Sequence, residues 1–170
     1  MPEYEPIQQQ KEGHLPNIEI SYLELSRLLS IFLSSEKFAE LRAGAGCYPQ
    51  IFDVLLDTQD DEITRILISL AITARIIDDR EKGIFSNSKA VCGVLEQDKK
   101  IKDLLLREAC NKILHAKKIR FDVSKTEAME TFLNPRVYLY GSTQKNSAWK
   151  ATLDLIPFAK LYLSEVRMIY

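Results

Sequence analysis

Val91-Cys-Gly-Val-Leu-Glu-Gln-Asp-Lys-Lys-Ile-Lys-Asp-Leu-Leu-Leu-Arg-Glu-Ala-Cys-Asn-Lys-Ile-Leu-His115 is the stretch on which the fold turns. It joins a region of helical spacing to a region of strict alternation, and its own spacing is read as helical. Read as helix, Ser86-Asn-Ser88 starts a short helix through Val91 and Leu95, and Gln97-Asp-Lys-Lys100 is a kink. A second helix then runs from about Lys100 to Lys117.

Upstream, the spacing continues to favour helices. Asn17 suits an N-cap for a helix carrying Ile20, Leu23, Leu25, Leu28, Leu29, Ile31 and Leu33, ending near Ser35. A short piece over Glu36 to Leu41 leads to Arg-Ala-Gly-Ala-Gly, whose glycines favour a turn, and Tyr48 to Leu56 reads as another short helix. Asp57-Thr-Gln-Asp-Asp-Glu supplies the next start signal. Thr58 or Asp60 would cap a helix from about Glu62 to Asp79, stopped by Lys82-Gly83. Glu62, Arg65, Ser69 and Thr73 define its exposed stripe, which makes it the most buried helix expected.

Downstream, the period changes to two. Ile119, Phe121 and Val123 alternate with Arg120 and Asp122, and Arg136 to Gly141 and Trp149 to Leu153 alternate likewise, so three short strands are expected. The polar connection from Gly141 to Ser147 would close a hairpin between the last two. A final amphipathic helix follows from near Asp154 or Pro157 to Met168, with Phe158, Leu161, Leu163 and Val166 on its apolar face. The expected architecture is mainly α (α+β): a bundle of about four main helices with a small antiparallel hairpin or three-stranded sheet inserted before the C-terminal helix. Residues 1–17 read as a mobile polar tail and 18–170 as one helical domain with the β insertion at about 119–153.

The 170 residues suffice for one substantial core, and 23 basic against 24 acidic residues exclude binding of nucleic acid through a global positive field. Cys47, Cys92 and Cys110 form no C-x-x-C pair, which leaves reduced thiols and no metal or cofactor site. The N-terminus lacks a signal peptide's basic start and apolar run, and Ile66 to Ala74, the longest apolar stretch, falls short of the ~20 residues that span a bilayer. A cytoplasmic protein without a membrane partner is the expectation.

Chemistry concentrates on the second half of the quoted stretch. On a helix, Glu108 lies about 20° and Asn111 about 40° from His115. Leu104 and Ile101 point nearly the same way, so the trio would sit half-buried, fit for general acid and base work. A histidine at a helix end also serves as a packing residue or a favourable charge. Arg75 projects toward the apolar side of its helix and requires a partner, either Asp78 and Asp79 within the helix or the His115 helix across a composite cleft. Tyr138, Tyr140 and Arg136 share a strand face, as do Lys150 and Thr152. That surface suits single-stranded nucleic acid or a plain cross-strand ladder. Lys112, Lys117, Lys118 and Arg120 form a modest basic cluster near His115. There is no Walker, dinucleotide, zinc-protease or nucleophile-elbow motif.

Arg107 to His115, with the arginine and acidic cluster on the preceding long helix, resembles the HEPN-like superfamily of small helical proteins, many of them toxins, defence proteins or RNA-processing nucleases. In its catalytic members an arginine precedes a histidine by four to six intervening residues, whereas seven separate Arg107 from His115 here. Arg107 then lies about 80° from His115, and Asn111 is better placed. The resemblance implies a homodimer that binds or cleaves RNA without metal, in a bacterial defence or toxin-antitoxin setting. His115 would be general base or acid, Arg75 or Arg107 would stabilise phosphate charge, and Glu108 and Asn111 would orient the imidazole. Arg107, Asp78, Asp79, Lys112 and Lys118 would serve binding. The alternative is a non-catalytic interaction or accessory protein whose polar cluster is structural.

Overall fold

The computed structural model describes residues 17–44, 49–81, 83, 85 and 89–167. Helices α1 (Ile18–Gly44) and α2 (Pro49–Arg80) precede β1 (Val91–Gln97) and β2 (Lys100–Leu105). Helix α3 (Leu106–His115), strands β3 (Lys118–Lys125), β4 (Thr131–Ser142) and β5 (Ala148–Asp154), and helix α4 (Leu155–Arg167) complete the chain. The five strands form one antiparallel sheet in the order β2-β1-β5-β4-β3. The expected bundle with a small insertion is therefore overturned: this is an α+β fold whose sheet begins at Val91.

The correction traces to the opening stretch. Gln97 pairs with Lys100 across a two-residue connection in which Asp98 (φ 51°) and Lys99 (φ 60°) are both left-handed. That is the geometry of a type I′ hairpin turn, whose twist matches the flanking strands. The supposed kink is this turn, and Val91 to Gln97 and Lys100 to Leu105 are strands. Leu104-Leu-Leu106 then passes from strand to helix with Leu105 extended at the cap (φ −84°, ψ 160°) and no side-chain capping bond. Gly93 is required in β1, since a Cβ there would meet the Thr152 carbonyl oxygen at 2.0 Å.

The three expected strands are present, and β4 runs longer than the segment from Arg136 to Gly141. Pro135, which cannot donate to a ladder, lies where the register slips between Phe121/Val137 and Val123/Leu133. Upstream, the two short pieces merge into their neighbours. Asn17 caps α1 as expected, its Oδ1 accepting from Glu19 N at 3.0 Å, but α1 continues through Ser35 to Gly44. Thr58 lies inside α2, where its hydroxyl donates to the Val54 carbonyl. Helix α2 ends as Gly83, at φ 82°, donates its N–H to the Asp78 carbonyl. The tail up to residue 16, Lys82, the start signal at residues 86–88 and Met168 lie outside the described residues.

One sheet face is dry. Leu95, Leu104, Val137, Leu139, Ala151 and Leu153 pack with Leu28 and Phe32 of α1, Leu106, Cys110 and Ile113 of α3, and Leu155, Phe158 and Tyr162 of α4 in a single core. Each such large apolar side chain contributes about 1.5–3 kcal/mol on burial. Helix α2 packs on α1 and α3 rather than on the strands, so it forms the outermost helical layer. Its exposed stripe also differs from expectation. Thr73 is buried, while Ile68, Ile72 and Ile76 are 38%, 45% and 38% exposed. No helix among the described residues is long and apolar enough to cross a membrane.

Candidate functional site

The residues singled out by the sequence fall into two polar clusters, one at the junction of α2 and α3 and one on the open face of the sheet.

At the junction, the last turn of α2 lies against the first two turns of α3. Arg107 pairs through Nη1 with Asp78 and through Nη2 with Asp79 Oδ1 at 3.1 Å. Asp78 is fully buried and its Oδ1 also accepts from Phe85 N at 2.8 Å. Arg75 donates to Asn111 Oδ1 and lies 3.5 Å from Asp79 Oδ2. The buried Asp78 carboxylate thus meets both an arginine and a backbone donor, the pairing a charge needs once water is removed. Arg75 does not choose between its own aspartates and α3. It bridges both.

The histidine is elsewhere. His115, expected half-buried between Glu108 and Asn111, is exposed at the C-terminal end of α3 and makes no hydrogen bond or ion pair among the described residues. Glu108 turns instead to Lys102 on β2 at 2.9 Å, and Asn111 is held by Arg75. The structure therefore brings Arg75, Asp78, Asp79, Arg107 and Asn111 together and leaves His115 out. Arg107, poorly aligned with His115 around the helix, joins Asn111 in tying α3 to α2. A shallow cleft of about 300 Å³ lined by Phe85, Leu105, Arg107, Glu108 and Asn111 opens beside the cluster. Of the basic cluster, Lys112 covers the Trp149 ring at 4.5 Å, and its pKa is lowered first by burial. Lys117 bonds Ser142 Oγ at 2.6 Å.

The second cluster follows from register. Opposite the core, the row Asp103-Val94-Thr152-Tyr138-Arg120 lies beside the row Ile101-Glu96-Lys150-Tyr140-Lys118. Arg120 sits 5.7 Å from the Tyr140 ring centroid and Lys150 sits 5.4 Å from that of Tyr138. Lys150 also pairs with Glu96 at 3.1 Å, a hydrogen bond that raises its pKa, and Arg136 pairs with Asp154 at 2.7 Å. Tyr138 donates to Asp122 Oδ1 at 3.0 Å. Lys118 and Arg120 are exposed and carry no ion pair among the described residues. The sequence marked Tyr138, Tyr140, Arg136, Lys150 and Thr152 for this face. It missed Glu96, because β1 was read as helix, and it placed Lys118 and Arg120 with His115 instead of with the tyrosines.

The thiols Cys92 and Cys110 are free and buried, and burial pushes each up to about 12. No family model matches the chain, and neither a curated protein nor a solved structure matches it.

Proposed function

We propose that this protein is a non-catalytic RNA-binding module that receives single-stranded RNA on its open sheet face. The observation that carries the reading is the pairing of two tyrosine rings with two unpaired cations on that face: Tyr138 and Tyr140 beside Lys118 and Arg120. A base stacked on an aromatic ring is worth about 1–3 kcal/mol, whereas an exposed cation over the same ring is worth about 0.5–1 kcal/mol. An incoming base therefore displaces Arg120 from Tyr140 at net gain, and the freed guanidinium is left beside the phosphate. Tyr138 is less free, since Lys150 above it is also held by Glu96.

The same magnitudes set the affinity. Two stacked bases and two phosphate contacts give weak, sequence-tolerant binding in the micromolar range, with a salt slope of about −1.4 from ~0.7 per neutralised phosphate. The polar cluster at α2 and α3 supports the non-catalytic part of the reading, because its arginines are engaged by carboxylates and an amide.

Anisotropy with a short fluorescent oligouridine tests this. Tyr140→Ala should weaken binding about 5-fold to 150-fold, and Arg120→Ala should lower the salt slope by about 0.7. No binding by the wild type at low salt, or equal binding by Tyr140→Ala, would remove the sheet from the function.

A second reading, a metal-independent ribonuclease of the HEPN kind in a defence or toxin-antitoxin setting, draws on a different observation: the His115 imidazole is exposed and unengaged. RNA cleavage in the presence of EDTA that disappears in His115→Ala would favour it.

A further inference from the structure

We propose that α2 is a homodimerisation helix, pairing antiparallel with α2 of a second copy about a two-fold axis at Ile72. The observation is an exposed row that is complementary to itself when reversed. In sequence order it runs Arg65, Ile68, Ile72, Ile76, Asp79, with Ile68, Ile72 and Ile76 exposed by 38%, 45% and 38%. Turned end for end about Ile72, Arg65 meets Asp79, Ile68 meets Ile76 and Ile72 meets itself. The two terminal charges are half-exposed, 51% for Arg65 and 55% for Asp79, and each also has partners in its own chain, Glu24 and Glu62 for Arg65 and Arg75 and Arg107 for Asp79, so pairing across the axis joins these two clusters. Position 69 opposes position 75, serine against arginine, so no like charges face one another between the ends.

Three adjacent isoleucines on the outermost helix are an unusual surface for a monomer, and the flanking charges point to a copy of this chain as the occupant. A partner of other chemistry would need its own acid and base at the same separation. Ile20 extends the patch. It is 54% exposed and lies one turn from Glu24, which pairs with Arg65 at 2.8 Å, so α1 brings it beside the isoleucine row. A single helix pair with this flank reaches only the lower end of the ~1,200–2,000 Å² of stable interfaces, so the dimer is reversible and concentration-dependent.

This pairing goes beyond the RNA-binding reading and does not need it. It leaves α1 and α3 between the interface and each sheet, so both open sheet faces point away from the axis and a dimer presents two RNA surfaces. It also keeps the two His115 helices apart. Asp79 and its symmetry mate are separated by roughly 20 Å along the paired axes at ~1.5 Å per residue, so no composite site forms from two copies of α3.

Sedimentation velocity of the full chain without RNA, across a concentration series, gives the first test. The wild type is expected to pass from monomer to dimer, and Ile72→Glu to remain monomeric with an unchanged circular dichroism spectrum. Ile72→Cys, in a Cys47→Ser background, keeps the row apolar and guards against a misfolded glutamate variant. A short bis-maleimide should link it to itself, while Ile68→Cys alone links poorly and Ile68→Cys with Ile76→Cys links well. A wild type monomeric throughout, a folded Ile72→Glu that still dimerises, or no crosslink from Ile72→Cys would each overturn the proposal. Because RNA is absent, none of these outcomes touches the assignment of the sheet face.

Discussion

The α2–α3 junction and the open sheet face hold the same kinds of side chain, arginine or lysine beside carboxylate, and use them in opposite ways. At the junction the Asp78 carboxylate is sealed from water, so its partners decide whether the helices can dock. On the sheet, Lys150 and Glu96 remain 36% and 45% exposed, and their pairing competes with hydration on equal terms. A short distance between charges thus says little until burial is known. The first region is a clasp, and the second is a surface whose groups can be rearranged.

The comparison breaks most completely at high pH, where the buried side fails first. Cys92 and Cys110 hold their protons up to about 12, against an ordinary value of 9.0. A thiol whose folded pKa is raised contributes stability that is whole below the unfolded value and is lost as pH climbs toward the folded one. Ionising one thiol inside the fold costs about 4 kcal/mol more than ionising it in the unfolded chain. Two such groups rival the ~5–15 kcal/mol by which domains are stable. Urea midpoints should therefore hold steady up to about pH 8.5 and fall steeply between 9 and 12. Cys92→Ala with Cys110→Ala should flatten that fall.

Next in size is the clasp itself. Asp78→Ala leaves Arg107 without its buried counter-charge and Phe85 N without an acceptor. Breaking a buried pair from one side costs about 3–5 kcal/mol, or a drop in Tm of roughly 6–20 °C for a domain of this size. Asp78→Asn keeps an acceptor for Phe85 N and should lose less. Calorimetry on the two variants reads the difference, and equal small losses would show that the carboxylate is hydrated after all.

How much of this was legible in the sequence depends on what each segment must satisfy. Strands β3 to β5 alternate because one face is core and the other is wet, so Phe121 against Arg120 and Leu139 against Tyr138 declare them. Strand β1 has Gly93 where a side chain would strike Thr152, and its turn is Asp98-Lys99, which lacks the glycine that announces a type I′ hairpin. The run Leu104-Leu-Leu106 is apolar on both sides of a strand-to-helix boundary, which hides it. At the candidate site, Arg75, Asp78 and Asp79 were legible as a group seeking partners within their helix or across a cleft. What could not be read was that Arg107 and Asn111 engage them, since that depends on how α2 and α3 dock. The exposed isoleucines of α2 were equally hidden. Helical periodicity marks an apolar side, and on a helix apolar nearly all round it cannot say which part meets the core.

On the sheet the expected effects are smaller. Glu96→Gln removes the partner of Lys150 and should change stability by no more than about 1 kcal/mol, since half-exposed pairs are worth ~0–1 kcal/mol. Its effect on RNA should run the other way. With one negative charge removed and Lys150 free to meet a phosphate, affinity should rise and the salt slope should steepen by about 0.7. An unchanged slope in anisotropy titrations would place the RNA off this part of the face.

The smallest effect belongs to His115. His115 has no partner among the described residues and sits exposed at the end of α3, so His115→Ala removes neither packing nor a buried bond. Surface substitutions away from caps, cores and buried pairs change stability by about 0.5 kcal/mol or less. Urea denaturation should therefore give midpoints for His115→Ala and wild type that correspond to stabilities within about 0.5 kcal/mol of each other. RNA incubated with either protein in EDTA should stay intact on a denaturing gel. Cleavage by the wild type alone would move the chemistry to His115, and the α2–α3 clasp would then be the scaffold that presents it.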